Sequence, residues 1–259
     1  MTPRVIFIQK RTHRAGAHTC LARLFSHPEL STYAPILVCE QNKGWLWETA
    51  GEVGIDRIAV TFPSSRALSA RLWRNRQFAG KVASHLRPLK KGPFIVHAND
   101  HLEGLLGHAL ADQIKAHRAI FLRAPGMTQR DYVKYRCGEY GLVATVGDEI
   151  RDRIQSWEAT RKIELIHDGI GSDEFLSPID WPKQFPQRML VIGSPLDWKG
   201  WRDLIDAIVE LEKDPQFPAV ELHFTGDKPH PDNNDLVLSR LNRTRVRFLG
   251  RVEEFRELV

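Results

Sequence analysis

The stretch Met189-Leu190-Val191-Ile192-Gly193-Ser194-Pro195-Leu196-Asp197-Trp198-Lys199-Gly200-Trp201 joins an uninterrupted apolar run to a segment of helical period. Beyond Trp201 the residues Leu204, Ile205, Ile208 and Leu211 fall on one stripe, while Arg202, Asp203, Asp206 and Glu210 fall on the other face. A four-residue apolar run is too short for a helix of its own, and its lack of alternation predicts a strand covered on both faces. Strand, glycine turn and amphipathic helix make half of a β-α-β unit, so the passage predicts a parallel sheet.

Working outward, the same alternation recurs. Apolar runs at Val5–Ile8, Ile36–Cys39, Ile58–Val60, Phe94–His97, Ala119–Leu122, Leu142–Val146 and Ile163–Ile166 are separated by helix-like segments, one of them Leu102–Leu110. The texture breaks at Ser177–Arg188, SPIDWPKQFPQR, where three prolines fall within twelve residues. Beyond it come the strand Met189–Ile192, the helix Trp201–Leu211, a strand at Val220–Phe224, a helix near Asp235–Leu241 and a strand at Val246–Leu249. The expectation is an α/β protein with a doubly wound N-terminal domain over 1–176, a linker over 177–188 and a partial second domain over 189–259.

The chain has 259 residues, 42% hydrophobic and 27% charged, ordinary for a soluble globular protein. No apolar run has membrane-spanning length, and MTPRVIFIQKRTHR lacks the pattern of a signal peptide, so the protein is expected in the cytoplasm. Cys20, Cys39 and Cys137 are scattered and fit no metal-ligand spacing, so neither a disulfide framework nor a metal site is expected. The net charge of +5 is unevenly spread. No acidic residue lies between Asp56 and Asp100, a span holding Arg57, Arg66, Arg71, Arg74, Arg76, Lys81, Arg87, Lys90 and Lys91. Leu68, Leu72, Trp73, Phe78, Val82 and Leu86 are interleaved at roughly helical spacing. Two readings stay open: a solvated helix packed on a core, or a helix whose basic face, with Arg71, Arg74, Arg76 and Lys81, meets anionic lipid or a polyanion.

Ligands of doubly wound folds bind at the carboxyl ends of the strands. After the first strand, Lys10-Arg11-Thr12-His13-Arg14-Ala15-Gly16 is a basic loop whose glycine precedes a helix. It reads as an exposed turn, or as a place where a phosphate or sugar ring meets the helix amides. The dinucleotide fingerprint GxGxxG is absent. His97-Ala98-Asn99-Asp100-His101 gathers two imidazoles and a carboxylate at a strand end, so His97, Asp100 and His101 are candidate catalytic groups. Asp168-Gly169-Ile170-Gly171 reads as a tight turn in which glycine supplies positive φ. In the turn quoted first, Lys199 adds a full charge near the start of a helix.

Taken in order, these pieces resemble the retaining glycosyltransferases of family 4, the glycosyl transferases group 1 with the GT-B fold. The motifs are Val143-Ala144-Thr145-Val146-Gly147-Asp148-Glu149-Ile150, Lys162 through Ile170 with Phe175, Gly193 through Gly200, Phe224-Thr225-Gly226-Asp227, and Val246 through Gly250. Gly193 and Lys199 keep the spacing of the family's Gly-Arg-Leu-x-x-x-Lys-Gly turn, with Ser194 in place of its arginine. The resemblance implies two Rossmann-like domains facing a cleft, the second incomplete because the family's Glu-x-Phe-Gly-x-x-x-x-x-Glu segment has no counterpart before Val259. It implies transfer of a sugar, with retention, from a nucleotide-diphosphate donor to a glycan or lipid-linked acceptor, without metal or other cofactor. Gly16, Gly193, Ser194, Lys199 and Gly226 would then meet the donor, and Arg11, His13 and Arg14 phosphate or acceptor. His97, Asp100 and His101 would lie near the transferred sugar. Such an enzyme would serve glycan, lipopolysaccharide or glycolipid synthesis, with no nucleic-acid partner, in the cytoplasm and peripherally at the inner face of the membrane. The alternatives are a non-catalytic module of the same fold that binds an anionic glycan or membrane, and a sugar-nucleotide epimerase.

Overall fold

A computed structural model describes residues 2–63, 68–89, 92–171, 188–193, 199–226, 237–250 and 252. The chain divides into two compact units, Met1–Leu176 and Ser177–Val259. Residues 177–187 of the expected linker, together with Arg66, Lys90, Lys91, Phe175, Ser194 and Asp227, lie outside the described residues.

The first unit runs β1 (Arg4–Ile8), α1 (Gly16–Ser26), α2 (Pro28–Ser31), β2 (Ile36–Cys39), α3 (Trp45–Glu52), β3 (Asp56–Ala59) and α4 (Leu68–Leu86). It continues with β4 (Phe94–Ala98), a 3-10 turn (His101–Glu103), α5 (Gly104–Ile114), β5 (His117–Leu122), α6 (Gln129–Lys134), β6 (Leu142–Thr145), α7 (Asp148–Trp157) and β7 (Glu164–Leu165). The seven strands are all parallel, in the order β3-β2-β1-β4-β5-β6-β7. Successive strand side chains point to opposite faces, which explains the unbroken apolar runs. In β1, Ile6 and Ile8 enter the core under α4 and α5, and Phe7 enters the one under α1 and α3. A third cluster, with Ile120, Leu122, Val143 and Ile154, lies under α6 and α7.

Two sequence expectations change. The third strand spans Asp56–Ala59 rather than Ile58–Val60, because β2 pairs with it from Asp56 onward. In α4, Phe78, Ala79, Val82 and Leu86 are buried, but Trp73 is 61% exposed. Trp73 precedes Phe78 by five residues, about 140° around a helix of 3.6 residues per turn, so it leaves the apolar stripe.

The second unit holds β8 (Arg188–Ile192), α8 (Trp201–Leu211), β9 (Glu221–Thr225) and β10 (Arg245–Phe248), with parallel strands in the order β10-β9-β8. Trp201, Ile205 and Ile208 of α8 pack on Leu222 and Phe224. Of the helix expected near Asp235–Leu241, Val237 and Leu238 are helical, and the residues before them lie outside the described set. Glu212, just past α8, accepts backbone N–H bonds from Asn242, Arg243 and Thr244 at 2.7, 2.8 and 2.6 Å, fixing the approach to β10. Those bonds outweigh partial burial and hold its carboxyl below the ordinary range.

Candidate functional site

Strand order reverses between β1 and β4, and a doubly wound sheet opens a crevice at the carboxyl ends of such a pair. Buried polar side chains tie the two ends together. Asn99, 1% exposed, donates its Nδ2–H to Gln9 Oε1 at 2.6 Å, and the Asn99 amide reaches the Ile8 carbonyl at 3.3 Å. Above this pair lies a cavity of about 450 Å3, whose lining includes Gln9, Lys10, Arg11, His13, His18, Asp100, Glu103 and Tyr135. The basic loop that forms one wall is anchored: Thr12 donates its hydroxyl to the Lys43 carbonyl at 2.8 Å, and its own carbonyl accepts from the Leu46 amide at 2.8 Å.

The three residues proposed as catalytic separate. Asp100 lines the cavity, and its Oδ1 accepts from the His101 amide at 2.7 Å, from His101 Nδ1 at 2.9 Å and from the Arg123 amide at 3.4 Å. Burial lowers the His101 pKa, but the hydrogen-bonded Asp100 carboxylate, helped by Asp131 and Glu103, more than offsets it and leaves the pKa raised. Replacing Asp100 by Asn should therefore drop the His101 pKa, because burial then acts with less opposition. Titration of the His101 ring protons by NMR measures it, and an unchanged midpoint would refute the pairing. His97 instead packs its ring on Phe7, with centroids 5.0 Å apart, and its Nδ1 is buried without a hydrogen-bond partner. Burial, reinforced by Arg123, lowers its pKa to about 4, so at neutral pH it is an uncharged imidazole. Arg123 spans this region by stacking on Phe121 and pairing with Asp168.

Arg11 and His13 border the cavity, whereas Arg14 lies over the Trp45 ring at 5.4 Å and lines a separate groove along α1. His18, buried at the start of α1, sets its Nδ1 against the His13 carbonyl, which leaves Nε2 as the unprotonated nitrogen of the neutral ring. Burial dominates its lowered pKa, so the neutral form is favoured. Gly16 opens α1 with no side-chain cap, and a methyl group built on it would meet nothing within 4 Å. Gly169 does not supply the positive φ expected of it. Its carbonyl accepts from Arg23 at 3.2 Å, while Asp168 is occupied by Arg123, so side-chain bonds hold this segment.

Glu103 was hidden from the sequence reading inside the helix expected over Leu102–Leu110. It is 5% exposed, closes the 3-10 turn after β4 and accepts the Lys10 amide hydrogen on Oε1 at 3.3 Å. Burial, aided by the charge of Asp100, raises its pKa to about 7. The available signal was its position three and seven residues before Leu106 and Leu110, which places a carboxylate on the apolar stripe of α5.

In the second unit, Gly193 has φ +116° and Gly200 φ +71°, conformations that exclude most side chains and explain the glycines at both ends of the quoted turn. The Gly193 amide donates to Thr225 Oγ1 at 3.0 Å, joining the carboxyl ends of β8 and β9. Lys199 is exposed immediately before α8, and Gly226 is buried immediately after β9. Arg74, Arg76 and Lys81 are exposed on α4, the helix that also carries Arg71. Among the described residues no three or more His, Cys, Asp or Glu side chains gather to hold a metal, and no helix is long and apolar enough to cross a membrane.

By sequence, no family model and no curated protein matches the chain. Solved structures do resemble it. The Anabaena protein Alr3699/HepE, in complex with UDP and glucose, is 14% identical, with 99% of this chain and 71% of that one covered at a TM-score of 0.67. A glycosyltransferase from Rickettsia africae ESF-5 is 16% identical, with 99% and 70% covered at 0.67. The apo form of the lipopolysaccharide outer core galactosyltransferase WaaB is 14% identical, with 99% and 70% covered at 0.66. At such identities the likeness shows the fold, which is α/β of the GT-B type, with Rossmann-like parallel-sheet units.

Proposed function

We infer that the protein is a glycosyltransferase that moves a sugar from a nucleotide-diphosphate sugar to an acceptor hydroxyl. The observation that carries this reading is the cavity at the β1/β4 reversal, in a fold shared with a protein crystallised with UDP-glucose. The first unit takes the acceptor, with Arg11 and His13 at the border of its cavity and Arg11 supplying positive charge there. The second unit takes the donor at the carboxyl ends of β8 and β9, through Gly193, Ser194, Lys199 and Gly226. In the reaction the acceptor oxygen bonds to the anomeric carbon, the bond from that carbon to the diphosphate breaks, and the acceptor proton is released. Charge growing on the departing diphosphate is stabilised by Lys199 and the first amides of α8. The order of motifs along the chain supports family 4 and hence retention, with no cofactor beyond the nucleotide sugar.

The pathway reading is glycan, lipopolysaccharide or glycolipid synthesis at the cytoplasmic face of a membrane. The exposed Trp73 beside Arg74, Arg76 and Lys81 supports peripheral contact with anionic lipid. The test is nucleoside diphosphate release from UDP-glucose and other nucleotide sugars in the presence of glycan and lipid acceptors. Absence of both release and donor binding overturns the reading. Lys199→Ala should weaken UDP-glucose binding by about tenfold or more, the loss of one charge-assisted contact, as measured by calorimetry. An unchanged affinity removes Lys199 from the donor site.

A further inference from the structure

Glu103 is a buried carboxylate with no ion-pair partner among the described residues. Its Oε1 receives the Lys10 amide, its own backbone amide also favours the charged form, no side chain among the described residues donates to it, and the side chain lines the cavity. His101, the nearest cation on its own turn, is held by Asp100. Structural economy does not explain the arrangement, because a glutamine would accept the same amide bond without a buried charge. A buried carboxylate that faces a cavity and takes no side-chain donor is the arrangement expected where a ligand supplies one.

We propose that Glu103 is the residue that holds the acceptor, its carboxylate taking a hydrogen bond from a sugar hydroxyl at the inner end of the cavity. The proposal rests on the transferase reading for the word acceptor, but the binding itself does not require it. The chemistry of the walls specifies an uncharged polyol there. Asp100 and Glu103 repel an anion from the inner end, and His18, neutral, offers a second lone pair. Arg11 and His13, both exposed, could meet an anionic substituent only farther out.

The bond needs the ionised carboxylate, so binding should strengthen as pH rises through about 7. The other groups facing Glu103 are the Cys39 thiol at the end of β2, the Tyr140 hydroxyl ahead of β6, and Asp100 and His101 on its own turn. Burial holds the Cys39 pKa up at about 12 and raises that of Tyr140, so neither titrates in this range. Lys10, Arg11, His13 and His18 border the cavity, and the histidines among them are separated from Glu103 by the variant below.

The experiment titrates the 259-residue chain with methyl glycosides of glucose, galactose, mannose and N-acetylglucosamine at pH 5.5 and 8.0, followed by amide NMR. At least one should bind, roughly tenfold or more tightly at pH 8.0, the ratio set by the ionised fraction of a carboxyl with this pKa. Glu103→Gln keeps the Lys10 bond and should bind weakly at both pH values. Its unchanged Lys10 amide resonance would show that the turn is intact. No binding by any glycoside, binding independent of pH, or full affinity in Glu103→Gln each overturns the proposal. UDP-glucose titration and UDP release on the same samples decide the transferase reading separately: glycoside binding without them leaves Glu103 in place and removes the activity.

Discussion

At pH 8 the Glu103→Gln protein should be more stable than its parent by about 3 kcal/mol, and the gain should fade to nearly nothing at pH 4. Folding lifts this carboxyl from the ordinary 4.5 to about 7, chiefly through burial. At about 1.4 kcal/mol for each pKa unit, ionising it inside the folded protein costs ~3 kcal/mol more than in the unfolded chain. Below pH 4.5 both states hold the proton and no cost arises. Between 4.5 and 7 the unfolded chain releases the proton and the folded one keeps it, so stability falls as pH rises. Above 7 both are ionised and the full cost persists. Glutamine, of similar shape and able to accept the Lys10 amide hydrogen, lacks this dependence. Native-state hydrogen exchange of β1 and β4 amides reports the first unit directly. Equal stability at pH 8, or a gain already present at pH 4, would mean that the carboxylate is well solvated. With loss of glycoside binding in the same variant, the expected gain would be the signature of a group kept for function at a cost in stability.

The sheet could be read from the sequence because parallel strands covered on both faces leave unbroken apolar runs, as in Ile36–Cys39, whose four residues are all buried. The helix Trp201–Leu211 was equally plain, since its stripe and its glycine turn agree with the positive φ at Gly193 and Gly200. The site was legible only in part. Asp100 and His101 are neighbours in sequence, so their pairing needed no knowledge of topology. Gln9 and Asn99 are ninety positions apart and meet only because β1 and β4 are adjacent, an order that an apolar pattern does not encode. Asn75 and Glu103 were hidden for another reason. Each is a polar residue on a helix's buried side, 5% exposed, and periodicity assigns such positions to the core without saying what they face.

Gly104→Ala should destabilise the first unit by about 1–3 kcal/mol, although Gly104 already has helical angles of φ −53° and ψ −48° that alanine prefers. The obstacle is space. A Cβ on Gly104 would lie 2.5 Å from the Tyr135 carbonyl oxygen and 3.3 Å from the Tyr135 Cβ. A carbonyl oxygen cannot rotate away as a flexible side chain can, so the start of α5 must move. Glu103 is the adjoining residue and the last of the 3-10 turn, so the same movement shifts its carboxylate in the cavity and should weaken glycoside binding. Gly80→Ala in α4 is the matched control. Its Cβ would meet nothing within 4 Å, so the helix-forming advantage of alanine acts alone and should stabilise by up to about 1 kcal/mol. Opposite signs for the two substitutions, measured by the same exchange experiment, would separate close packing from backbone preference. A neutral or stabilising Gly104→Ala would show that Tyr135 yields, and that the Glu103 turn is not fixed by this contact.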